Sequence, residues 1–176
     1  VYHRGLDDGT NPETKYINLN LSSAETANTG YWNDTAPTST HFTVGANGAV
    51  NNNGGTYVAY LFAHNNSDGT YGPSANQDII KCGGYTGTGT STINTINLGF
   101  EPQWVLFKRV DSGDNWYLLD SMRGFVDLDT GDKTIIPNES NAEQDINTNF
   151  FGSRGPRLTA TGFEFKNTAT VNGSTG

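Results

Sequence analysis

The sequence is poor in the residues that carry most chemistry. Cys82 is the one cysteine among 176 residues, which excludes an intramolecular disulfide and any metal site built of cysteines. Flanked by Ile79, Ile80 and Lys81, it reads as a small buried hydrophobe. The three histidines, His3, His41 and His64, lie far apart, and none has a metal-ligand spacing such as His-Glu-x-x-His. There is no Gly-x-Ser-x-Gly elbow and no phosphate loop. Charged residues are 16% of the chain, and Lys plus Arg number 10 against 18 Asp plus Glu, a net charge of −8. Nucleic acid and anionic membrane surfaces both need a basic face, so neither is an expected partner. No run approaches the ~20 apolar residues of a membrane-spanning helix, and the opening Val-Tyr-His-Arg-Gly-Leu has no signal-peptide pattern.

What fills the gap is neutral and polar. Gly, Thr, Asn and Ser together occupy 77 of the 176 positions, while aromatics hold at 11%. Disorder comes with few aromatics and high charge. Thr and aromatics favour strands whereas Gly and Asn favour turns. The expected fold is therefore all-β and rich in turns, with at most short helical turns, one at Ser22–Glu25 where Ser precedes Glu by three positions and one at 140–145.

The clearest element is a pair of runs, Trp104-Val-Leu-Phe107 and Trp116-Tyr-Leu-Leu119, joined by the Asp/Gly/Asn turn of 110–115. Side chains alternate between faces along a strand, so runs apolar at every position predict a β-hairpin covered on both sides. Trp104 and Trp116 are then core residues. Further strands are expected at 1–4, Tyr16–Leu21, Thr40–Val44, Thr56–Ala63, 79–86, 93–98, 133–136 and 161–166, with an exposed loop or linker at 64–78.

The chain also resembles itself. Lys15–Glu25 aligns with Lys133–Glu143 at an offset of 118, and Thr40–Val44 with Thr161–Phe165 at 121. A period of roughly 120 residues makes 1–63 the second half of one repeat and 79–176 a second repeat without its last strand. The ends then read as cut points within repeats. On this reading the strand at 56–63 either fills the slot of that missing strand or the two halves share one sandwich.

Several of these motifs resemble a repeat found in tail-fibre and other virion proteins of tailed phages, often marine. They are Gly84-Tyr-Thr-Gly-Thr-Gly89, Asn97–Arg109, Asn115–Gly124, Pro137–Glu143, Trp32–Thr40 and Gly54–Ala63. The resemblance implies an antiparallel β-sandwich of lectin-like type (jelly-roll or concanavalin A-like), a place on the virion after synthesis in the bacterial cytoplasm, and a role in host contact. Other virion chains, or further copies of this one, are the protein partners it implies.

Two sites follow from the residues. Tyr31, Trp32, Asn33 and Asp34 put aromatic rings beside hydroxyl-fixing amide and carboxylate groups, as a sugar site requires, with Tyr71 a further ring in the exposed segment. A loop anchor packed on the sandwich is the plainer reading of Trp32. Asp127, Asp129 and Asp132 alternate around Gly131 as calcium ligands do, although no Glu stands at the twelfth position. A solvated acidic loop is the plainer account, and no other cofactor is expected. The functional expectation is a non-enzymatic module that recognises host-surface carbohydrate. The alternatives are a purely structural repeat and a polysaccharide-active enzyme, whose paired carboxylates no spacing singles out.

Overall fold

The computed structural model describes residues 1–62, 64, 74, 79–89, 93–125, 132–145 and 156–165. Its centre is the expected hairpin. Strands β4 (Trp104–Lys108) and β5 (Trp116–Asp120) pair antiparallel from Trp104↔Asp120 to Lys108↔Trp116. The intervening turn is closed by Lys108, whose Nζ donates to the carbonyls of Arg109 (3.2 Å) and Asp114 (2.7 Å).

The hairpin is covered on both faces, by different parts of the chain. Val105, Phe107, Tyr117 and Leu119 form one face and pack into a core with Phe125, Ile136, Phe163 and Phe165. The last two come from β9 (Gly162–Phe165), the middle strand of a sheet ordered β3 (Asn94–Asn97), β9, β8 (Arg157–Thr159). Phe107 meets Phe165 edge-on at 5.6 Å. Gly162 is glycine because a Cβ there would run into the Ile96 carbonyl of the paired strand. Between the two rings, Glu164 faces the other way, buried, and is ion-paired to its cross-strand neighbour Arg157.

On the other face Trp116 packs with Leu6 and Ile17, and with Leu106 and Val110 at the margin. The indole Nε1 of Trp116 donates to the Asn18 carbonyl at 2.7 Å. Lys108 Nζ and the Asp114 amide both donate to the Ser22 carbonyl, and the Glu25 amide to that of Val110. These bonds pin the N-terminal segment along the hairpin.

The two coverings repeat one another. β1 (Lys15–Tyr16) pairs with β2 (Thr26–Ala27) in the register Lys15↔Ala27, Tyr16↔Thr26. β6 (Lys133–Thr134) pairs with β7 (Gln144–Asp145) in the register Lys133↔Asp145, Thr134↔Gln144. Every position in the second ladder lies 118 after its counterpart in the first. Just upstream, Arg4-Gly5-Leu6 and Arg123-Gly124-Phe125 stand 119 apart, and Leu6 and Phe125 are both fully buried, on opposite faces of the hairpin. One motif thus recurs on either side of the same two strands.

The fold is all-β: among the described residues every strand pair is antiparallel, and the helical elements are two four-residue turns, α1 (Thr29–Trp32) and α2 (Gly48–Asn51), beside two short 3-10 turns. Several expected strands do not form. Residues 1–4, Thr40–Val44, 79–86 and the described part of Thr56–Ala63, up to Phe62, have no regular structure, and the strand at Tyr16–Leu21 is reduced to Lys15–Tyr16. Local composition and pattern made these segments look like strands, but a strand exists only where a neighbour takes its backbone bonds. The helical turn at Ser22–Glu25 is also absent. Its Glu25 carboxylate accepts instead from the Asp7 amide at 2.9 Å and pairs with Lys15 at 3.4 Å, so it cannot cap. At 140–145 the chain runs into β7 rather than a helix.

The strand slot suggested for 56–63 fails as well. Val58, Tyr60, Leu61 and Phe62 are 80%, 85%, 72% and 64% exposed. Adjacent positions are open alike, so neither face of the segment is covered.

Trp104 is not in the core. It is 50% exposed, on the same hairpin face as Trp116 but at the opposite end, beyond the cover that Leu6 and Ile17 provide. Cys82 is half-buried rather than buried.

Candidate functional site

The proposed sugar-binding quartet is held together mainly by its own aromatic packing. Asn28 caps α1 by accepting from the Gly30 amide. The turn places Tyr31 flat on Tyr16, centroids 4.0 Å apart and planes 15° from parallel. Trp32 meets Tyr2 edge-on at 5.9 Å, and its Nε1 donates to the Lys15 carbonyl at 2.9 Å. Burial, then the neighbouring Tyr16, pushes the Tyr31 phenol up. Asn33 and Asp34 follow with φ of 54° and 46°, a left-handed pair that Asn and Asp tolerate better than other residues, and both are exposed. Trp32 is in ring contact with Tyr2 and Tyr31 and its indole N–H is spent on the Lys15 carbonyl, so Tyr31 and Trp32 anchor the N-terminal segment while Asn33 and Asp34 stand exposed. Tyr71 lies outside the described residues.

Asp127 and Asp129 also lie outside the described residues. Asp132 is buried against Gly124: a Cβ on that glycine would stand 2.8 Å from Asp132 Oδ1. Among the described residues no group of three or more His, Cys, Asp or Glu is placed to hold a metal ion. The histidines are engaged locally. The ring Nδ1 of His3 accepts from the Gly5 amide and that of His64 from the Cys82 amide, and His41 bonds Thr40 Oγ1. Burial pushes the Cys82 thiol up, which disfavours a reactive thiolate. Among the described residues no helix is long and apolar enough to cross a membrane.

A different place, at the end of the central hairpin, gathers open side chains around a shallow hollow. At the outer end of the hairpin an open hollow of about 550 Å³ is lined by Gln103, Trp104, Asp120, Ser121, Met122 and Arg123. The strand ends are joined by the Ser121 amide donating to the Gln103 carbonyl at 3.0 Å. Asp120, opposite Trp104 in register, organises the turn that follows. Its Oδ1 accepts from the Met122 (3.1 Å) and Arg123 (3.0 Å) amides, and its Oδ2 pairs with the Arg123 guanidinium. Arg123 Nε also reaches Glu143 at 3.4 Å, which ties the turn to the chain just before β7. Gly124, at φ 112°, completes the bend, a conformation that costs little only for glycine.

The turn is thus held by hydrogen bonds and ion pairs, while Trp104 and Met122 beside it are open. Met122 is 93% exposed. Of the three tryptophans, Trp32 and Trp116 spend their indole N–H on backbone carbonyls. Among the described residues the side chains of Trp104, Gln103 and Ser121 make no hydrogen bond. An indole face beside unspent amide and hydroxyl groups suits a ligand with one apolar face and a polar rim. Sequence reasoning missed this because four apolar residues in a row read as fully covered. The signal available was position: Trp104 is the first residue of its strand, two after Pro102.

No curated protein and no solved structure matches the chain. A family profile matches residues 1–176 in full, and the chain belongs to that family, DUF7483, a domain of unknown function.

Proposed function

We propose that this chain is a non-enzymatic contact module of a tailed-phage tail fibre or other virion protein, binding host-surface carbohydrate through the hollow at Trp104. The observation that carries the reading is the half-exposed Trp104, the first residue of β4 in the central hairpin, with its indole N–H unspent, next to Gln103 and Ser121. A pyranose ring stacks its C–H face on an indole, and its hydroxyls then need amide and hydroxyl partners at the rim. The motif resemblance supplies the virion setting. A jelly-roll or concanavalin A-like sandwich fits the way β9 and the hairpin pack face to face through Phe107 and Phe165.

Intrinsic fluorescence tests the reading directly, because Trp104 is the indole most open to a ligand. Titration with surface polysaccharides of candidate hosts shifts the emission of the wild-type chain, and Trp104→Ala loses the shift. Binding that leaves emission unchanged, or a shift that survives in Trp104→Ala, refutes this site.

A structural spacer is the second reading. It is favoured by the recurrence of one buried motif, Leu6 with Ile17 and Phe125 with Ile136, on either side of the hairpin. Repeats that bury one another's faces in this manner build arrays.

A further inference from the structure

The segment Thr56–Phe62 is the most strand-like run of its half of the chain, yet among the described residues no backbone hydrogen bond joins Thr56–Leu61 to another strand. It is nevertheless held at both ends. Tyr57 Oη accepts from the Asn52 amide at 2.7 Å and donates to the Gly48 carbonyl at 2.8 Å. The Phe62 carbonyl accepts from Cys82 Sγ at 3.7 Å. Between these anchors the side chains stand in water, with Tyr57 at 48% and Tyr60 at 85% exposed.

We infer that Thr56–Phe62 is an interaction strand that pairs antiparallel with the same segment of a second copy of this chain. Three observations select that occupant. The first is charge. The chain carries −8 overall, yet no Asp, Glu, Lys or Arg occurs from Thr35 to Ser67. Two acidic copies repel least along this stretch.

The second is self-complementarity. Antiparallel pairing about Ala59 sets Tyr57 opposite Leu61 and Val58 opposite Tyr60. Aromatic rings then meet aliphatic side chains at four of the seven positions, the cross-strand pairs that stabilise sheets most. A two-fold contact of this type closes on itself and uses one patch twice.

The third is area. Tyr57, Tyr60 and Phe62 expose about half or more of rings that bury roughly 150–250 Å² each. With Val58 and Leu61 added, two copies together approach the roughly 1,000 Å² of a specific interface. A monomer rarely leaves so much contiguous apolar surface in water.

The test uses the full chain in light scattering and sedimentation across a concentration series. The wild type forms a dimer whose fraction rises with concentration. Ala59→Lys and Ala59→Glu each place like charges face to face on the two-fold axis and weaken the dimer about tenfold or more. Mixing the two variants in equal amounts restores it, now as a heterodimer. Residue 59 is exposed, so at concentrations where the wild type is monomeric both variants keep its melting temperature, which separates loss of pairing from loss of fold. A wild type that stays monomeric at every concentration overturns the inference. So do dimers indifferent to both charges, variants that fail to restore one another, or open-ended assemblies in place of dimers.

Discussion

Trp104 and Asp120 face each other across the outer end of the central hairpin, and they are used in opposite ways. Asp120 is spent on two amides and a guanidinium of its own turn. The indole N–H of Trp104 makes no hydrogen bond among the described residues, and the residue is half in water. Asp120 builds the floor of the hollow, and Trp104 leaves its indole N–H unspent beside it.

The floor should fail when Asp120 is replaced. Asp120→Ala removes a largely buried carboxylate that accepts from charged and backbone donors, a loss of about 1–3 kcal/mol. Chemical denaturation should show that loss, and weaker ligand binding should accompany it because the turn carrying Met122 and Arg123 is no longer held.

Truncating the two hairpin tryptophans should separate stability from recognition. Trp116→Ala empties a core site and orphans the Asn18 carbonyl, at a cost of about 3–5 kcal/mol. Trp104→Ala should cost far less, since half its surface is already exposed. Comparable losses for the two in urea melts would mean that Trp104 is structural.

Much of this division was legible in the residues. The two apolar runs specified the hairpin and its double cover, and β3 and β9 form where period-2 apolar spacing has a partner. The Trp104 end was not legible, because a run of apolar residues says that a strand is flanked and cannot say how far the flanking segment reaches. Leu6 and Ile17, from a part of the chain about a hundred residues away, decide that length. Thr40–Val44 and Thr56–Phe62 erred for a related reason: pattern marks a segment as able to pair, whereas pairing depends on a neighbour that local sequence does not name. At Tyr31–Asp34 the stacking of Tyr31 on Tyr16 and the bond from Trp32 to the Lys15 carbonyl are tertiary facts that local sequence does not name.

Gly124 should not tolerate a side chain. Its φ of 112° and the Asp132 carboxylate 2.8 Å from any added Cβ put the cost of Gly124→Ala at about 1–3 kcal/mol. A lowered melting temperature checks it, and an unchanged one would show that the turn relaxes freely.

Stability should fall in alkali. Burial first, then Asp114, raises the phenol of Tyr117 above its ordinary value of 10.0, and its hydroxyl donates to Asp114 Oδ1 at 3.0 Å. The unfolded chain therefore loses this proton above about pH 10 while the folded chain keeps it. The contribution is whole below that pH and is lost as pH rises, at up to about 1.4 kcal/mol per pH unit. Denaturant midpoints from pH 9 to 11 should decline more steeply in the wild type than in Tyr117→Phe.

Calorimetric titration of the wild type and of Trp104→Ala with a panel of bacterial surface polysaccharides bears most directly on the role proposed for this fold. At least one polysaccharide should bind the wild type saturably, and Trp104→Ala should weaken it about tenfold or more, equivalent to roughly 1.4 kcal/mol. Equal affinity in both proteins, or no binding across the panel, would contradict it.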